Sequence, residues 1–272
     1  MKARLPIIFA VLAVAMSVTA TAQVGTTTGP GKIMSWTVDG KQRKAIVFAP
    51  KDTAKGQKLP LVFAFHGHGG NMNGAAQLMH IQTVWPEAIV VYPQGLNTPS
   101  LVDPQGIKPG WQVEANQANG NVGNRDLDFF DAMLATMRQT YAVDEKRIYS
   151  TGFSNGAIFS YLLWAERSKR IAAIAEVAGR LWDTVHLTEP RPILAIAGTH
   201  DTVNPFDLQK QSIETDQQVD NATGPGQPCG QFCTFYASTT QTPVKKFIHP
   251  GAHVYPPWAP AKIVEFLKQH HL

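Results

Sequence analysis

Apolar positions in this chain fall into short unbroken runs, and between them lie stretches whose apolar residues recur at helical spacing. The runs Leu59 to His66, Ala88 to Tyr92, Arg147 to Phe153, Ile171 to Ala178, Pro192 to Ala197 and Val244 to Ile248 read as strands buried on both faces. Helices are predicted over Ala75 to Val84, over Asp126 to Tyr141 from Leu127, Phe130, Leu134 and Met137, over Ala157 to Ala165, and over Ala259 to His270. Ala157 to Ala165 is apolar nearly all round, as a helix packed behind the centre of a sheet must be. Strand and helix alternate throughout, so the fold class is α/β, with a mostly parallel central sheet and helices on both faces. Trp36 to Val38 and Lys44 to Ala49 flank Asp39-Gly40 and are expected to form an opening hairpin of edge strands. Two stretches, 93–124 and 207–242, are too polar for core elements and read as insertions, the first long enough to shape a site.

Composition bounds the organisation. With 272 residues and 44% hydrophobic content, the chain can bury one sizeable core, and residues 23–272 are expected to form a single domain. Residues 1–22 read as a signal peptide: Lys2 and Arg4, an apolar segment from Leu5 to Val18, then the cleavage box Ala20-Thr21-Ala22. The expected location is secreted or periplasmic, with no membrane association after cleavage, because the apolar segment is short for a bilayer span. Cleavage removes two bases and no acid, so the net charge of +4 falls by two, and no Lys/Arg cluster invites a nucleic acid. Export makes a disulfide between Cys229 and Cys233 plausible. The other reading of that pair, a metal site, lacks the further ligands a closed zinc site needs, so no metal is expected.

The candidate chemistry gathers at predicted strand ends, where open α/β sheets carry their sites. Gly152-Phe153-Ser154-Asn155-Gly156 sits between a strand and a buried helix. A serine in that tight turn projects its hydroxyl above the sheet, and the flanking glycines let strand and helix approach. Asp201 follows the Pro192 to Gly198 run, and His253 lies in the loop beyond the last strand. The order Ser154, Asp201, His253 is that of α/β-hydrolases. His249 is the alternative base, and Asp207, Asp216 and Asp220 are alternative acids that lack a strand end to fix them. The loop His66-Gly67-His68-Gly69-Gly70 would supply one oxyanion-hole N–H from His68, and Asn155 the other. Three tryptophans are candidates for a substrate wall: Trp111, Trp182 and Trp258, with Trp182 favoured.

The segments FAFHGHGG, NRDLDFF, VDEKRIYSTGFSNGA, AGTHDTVNPF and the His253 loop leading to PPWAPAKIVEFL together resemble the secreted esterase family that includes feruloyl esterases and short polyhydroxybutyrate depolymerase-type enzymes. The resemblance spans most of the mature chain. It implies an α/β-hydrolase fold, no cofactor, and a serine carboxylic-ester hydrolase acting on feruloyl or related plant cell-wall polysaccharide esters, with polyhydroxyalkanoate oligomers as the alternative substrate. Members often carry Gly-Gly-His followed by Trp-Pro, whereas this chain has Gly251-Ala252-His253-Val254-Tyr255-Pro256. An acyltransferase using the same triad and a noncatalytic carbohydrate-binding module are the readings from other classes. The small-molecule or polysaccharide-linked ester is the expected partner, and the oligomeric state is not legible.

Overall fold

The computed structural model describes residues 28–272, so the expected signal peptide lies outside the described residues. The chain opens on the hairpin β1 (Lys32–Val38) and β2 (Lys41–Phe48), turned by Asp39 and Gly40, both at positive φ. It continues through β3 (Leu59–Phe65), α1 (Met72–Met79), α2 (Ile81–Val84) and β4 (Ile89–Pro93). The first insertion holds a two-stranded ribbon, β5 (Leu96–Asn97) with β6 (Pro109–Gly110). Then follow α3 (Arg125–Thr140), β7 (Val143–Phe153), α4 (Asn155–Arg167), β8 (Ala173–Val177), β9 (Ile193–Gly198) and α5 (Phe206–Val219). β10 (Gln227–Gly230), β11 (Cys233–Tyr236), β12 (Val244–His249) and α6 (Ala259–Leu267) complete the chain.

Ten strands form one sheet in the order β1-β2-β4-β3-β7-β8-β9-β12-β11-β10. The central strands from β4 to β12 run parallel, and antiparallel hairpins extend both ends. One face is packed by α3, α4 and α5 through Phe129, Met133, Phe159 and Ile213, and the other by α1 and α6 through Met79, Ile263 and Leu267. Helices on both faces explain why the central strands are apolar without alternation: every residue of β3, β4, β8 and β9 is buried.

Two expectations need correction. β1 is an edge strand, but β2 pairs with β4 as well and lies inside the sheet, its apolar Ala45, Ile46 and Val47 buried. Residues 207–242 are not an irregular insertion. α5 buries Ile213 beneath a polar outer face, and β10 and β11 prolong the sheet beyond β12, tied by the Cys229–Cys233 disulfide. Most of the residues α5 buries, Gln209, Ser212 and Asp216, are themselves polar, so the helix looks like polar loop in sequence.

From β3 the chain steps out to β4 and then returns to β7 on the other side of β3. The loops after β3 and β7 therefore diverge at their carboxyl ends, which opens a crevice there.

Candidate active site

Ser154 occupies the turn between β7 and α4 with φ 55° and ψ −120°, a left-handed value that a side-chain-bearing residue adopts only under constraint. Its neighbours supply the constraint. A Cβ on Gly152 would lie 2.2 Å from the Gly156 carbonyl, and one on Gly156 would lie 2.2 Å from the Phe65 carbonyl oxygen. Both positions must be glycine for α4 to start where β3 and β7 end. The Ser154 N–H donates to the Val177 carbonyl at 2.9 Å, which ties the turn to β8.

His253 reaches Ser154 from the loop after β12, its Nε2 2.9 Å from the Ser154 Oγ and its Nδ1 2.8 Å from the Asp201 Oδ2. A proton on Nδ1 directed at the carboxylate leaves Nε2 as the acceptor for the serine hydroxyl. Asp201 is 4% exposed and accepts hydrogen bonds at both oxygens: Oδ1 from the Val203 and Asn204 N–H groups, Oδ2 also from Gln209 Nε2. Asn204 in turn donates its side-chain amide to the Ala178 carbonyl at 2.7 Å, so the β9 loop is locked to the β8 loop. Neither Asn204 nor Gln209 stands out in sequence. The family-like segment AGTHDTVNPF contains the first without marking its role.

His249, the alternative base, ends β12 with its Nδ1 accepting from the Gly251 N–H, and burial lowers its pKa. The alternative acids also lie elsewhere: Asp207 is exposed on the first turn of α5, Asp216 accepts the Tyr161 hydroxyl proton, and Asp220 accepts the Arg191 N–H.

Asn155 holds the first insertion against this turn, its Oδ1 accepting the Trp111 N–H and its Nδ2 donating to the Trp111 carbonyl. Its own backbone N–H, like that of His68, has no acceptor among the described residues. His66 is structural. Its Nε2 accepts the Gly95 N–H and its Nδ1 donates to the Gly67 carbonyl; burial drives its pKa down to about 4, so it remains neutral. The His68 ring meets Asp103, which also takes the Lys108 N–H and so shapes the 96–110 loop.

A cleft of about 330 Å³ opens over Ser154, Asn155 and His68, walled by Leu101, Val102 and Ile158 and closed on one side by Trp182. Trp182 therefore lies where a substrate wall was expected, with the Arg180 guanidinium over its ring at 4.3 Å. The other two tryptophans do not. Trp111 is fully buried below the turn, its Nε1 donating to the His66 carbonyl and its ring packed on Phe65 and Phe159. Trp258 packs on Phe247 and His249 against the α6 side of the sheet.

The model of the family described as phospholipase/carboxylesterase matches residues 44–223, about two thirds of the chain. The chain belongs to this family. Feruloyl esterase D of Neurospora crassa is 30% identical over 187 residues, covering 66% of this chain and 60% of that protein. A probable feruloyl esterase C of Aspergillus niger is 28% identical over 58% of this chain and 54% of its own, and a bifunctional acetylxylan esterase/xylanase of Neocallimastix patriciarum is 29% identical over 64% and 23%. The chain thus spans between 23% and 60% of the length of these curated relatives. Among solved structures, the acetyl xylan esterase from Aspergillus awamori superposes with a TM-score of 0.66 at 15% identity over 88% of this chain and 99% of that one. A ferulic acid esterase from Anaeromyces mucronatus, in complex with ferulic acid, gives 0.60 at 17% identity over 92% and 93%. These establish the α/β-hydrolase fold for this family member.

Proposed function

We propose that this protein is a serine carboxylic-ester hydrolase acting on feruloyl, acetyl or related esters of plant cell-wall polysaccharide. One observation carries the proposal: Ser154 Oγ, His253 and Asp201 form a continuous hydrogen-bonded line beside two backbone N–H groups that have no acceptor among the described residues, at the floor of a mainly apolar cleft. The relatives named as feruloyl and acetylxylan esterases support the substrate class.

In the proposed reaction, the Ser154 oxygen attacks the ester carbonyl carbon while His253 Nε2 takes its proton, and Asp201 stabilises the resulting imidazolium. The carbonyl electron pair moves onto oxygen, which accepts the His68 and Asn155 N–H groups; the positive end of α4 lies beside it. As the tetrahedral centre collapses, the ester C–O bond breaks and the imidazolium returns its proton to the departing alcohol. Water then repeats the sequence on the acyl-enzyme and frees the acid. Residues 1–22, as a signal peptide, would place this activity outside the cytoplasm, and among the described residues no helix is long and apolar enough to cross a membrane.

The test is a side-by-side rate comparison on methyl ferulate, acetylated xylan and a hydroxybutyrate oligomer, with Ser154→Ala as control. Hydrolysis of the first two by the native protein and of none by the variant is expected. Turnover confined to the hydroxybutyrate oligomer would overturn the substrate assignment, and release of transferred ester to an acceptor alcohol in place of free acid would make the protein an acyltransferase.

A further inference from the structure

The cleft over Ser154 is walled mainly by apolar side chains, and among the described residues that line it Glu114 is the one acidic side chain; His68 is the one other titratable group. Glu114 is not a loose surface residue. Its backbone carbonyl accepts Gln112 Nε2 at 2.9 Å, and the adjoining Val113 N–H donates to Gln117 Oε1 at 2.8 Å. Its carboxylate spans the gap between the first insertion and the segment after β8, where the Thr184 hydroxyl donates to Oε2 at 2.6 Å. Oε1 has no protein partner among the described residues. Among the described residues Glu114 forms no ion pair, and Arg180, which lies over Trp182, is paired with Asp183 at 2.8 Å.

A fixed carboxylate that is the one acid in the lining of the cleft discriminates in two ways. It gains from a ligand hydroxyl that donates to it, and it repels a ligand carboxylate. Glu114 lines the same cleft of about 330 Å³ as Ser154, within the space open to an acyl group.

We propose that Glu114 is a specificity-determining residue that selects acyl groups apolar along their length and ending in a neutral hydroxyl, and rejects those ending in a carboxylate. This rests on the ester-hydrolase reading of the same cleft. The test uses methyl p-coumarate, methyl cinnamate and methyl 4-carboxycinnamate at low ionic strength, where charge effects are least screened. Rates are measured on the native protein, Glu114→Gln and Glu114→Ala. Binding of the same esters is followed by tryptophan fluorescence on Ser154→Ala with and without each Glu114 change.

The native order is p-coumarate above cinnamate above 4-carboxycinnamate. Glu114→Gln relieves the rejection of the carboxylate by about tenfold, and Glu114→Ala also lowers the p-coumarate to cinnamate ratio by about tenfold. Thr184→Val, which frees the carboxylate without removing it, weakens both preferences. Equal ratios in native and Glu114-substituted proteins overturn the proposal. The binding arm separates it from the reaction: a Glu114-dependent order of binding with no turnover of any ester would sustain the selectivity and remove the hydrolase reading.

Discussion

Replacing Glu176 by glutamine isolates a buried acid that lies among the groups holding Asp201. Glu176 ends the apolar face of β8 at 1% exposure, and its Oε2 accepts the Gly179 N–H at 2.9 Å. That bond sits in the turn where Ala178 adopts positive φ and presents its carbonyl to Asn204. Burial raises the carboxyl pKa from 4.5 to about 8, against the Gly179 hydrogen bond, which lowers it; the negative charge of Asp201 adds to the rise. A carboxyl raised in the folded state holds a proton that the unfolded chain releases. Its contribution is therefore undiminished below the ordinary value and is lost progressively as pH climbs toward the folded one. At pH 7 the loss is about 3 kcal/mol, and above the folded value about 5 kcal/mol. Glutamine keeps an oxygen for Gly179 and never ionises, but its extra N–H imposes a roughly constant penalty of about 1 kcal/mol. Urea unfolding at pH 5, 7 and 9 reads the difference. The variant is expected to match or fall slightly below the native protein at pH 5, and to gain on it by about 2 kcal/mol at pH 7 and about 4 kcal/mol at pH 9. Asp220 is common to both proteins and cancels in the difference, whereas Asp216, whose pKa the Glu176 charge helps raise, gains slightly from its removal and adds to the effect in the same direction at high pH. A stability difference independent of pH would refute the reasoning.

Ser154→Ala removes the proposed nucleophile without disturbing the turn and is expected to lower kcat on p-nitrophenyl acetate by about a millionfold, with urea midpoint unchanged. Asp201→Asn keeps the volume but spoils the His253 tautomer, which should lower kcat by about ten-thousandfold with little change in KM. Gly156→Ala forces a Cβ against the Phe65 carbonyl, so it is expected to lose about 3 kcal/mol in urea unfolding along with activity. Trp111→Phe leaves the His66 carbonyl without its donor and should cost about 2 kcal/mol of stability while leaving the preference among acyl groups unchanged. Trp182→Ala should do the reverse, raising KM for aromatic esters at little cost in stability.

The strands β3, β4, β8 and β9 are legible because helices on both faces bury every position, which leaves short runs that are apolar but for the buried Glu176 of β8. The turn at Ser154 is legible for a different reason: Gly152 and Gly156 answer a steric demand so strict that the sequence has no freedom there. Where the demand is looser, the signal fades. α5 packs an inward face that is itself polar, Gln209, Ser212 and Asp216 beside Ile213, and Asp216 with the following Asp220 are buried acids that a polar stretch disguises as solvated ones. The three tryptophans make the limit plain. In sequence Trp111 lies within the first polar insertion and Trp182 shortly after a strand end, and neither position says whether the ring faces the cleft. What separates them is Asn155, whose side-chain amide takes both backbone groups of Trp111 and draws that ring beneath the serine turn, whereas Trp182 follows a loop held from Gly179 and Ser212 and faces the cleft. An asparagine next to a nucleophile would ordinarily be credited only with its backbone N–H. Here its side chain fixes the insertion that carries Leu101, Val102 and Glu114, so the same residue that would stabilise the oxyanion also sets the wall that chooses the ester.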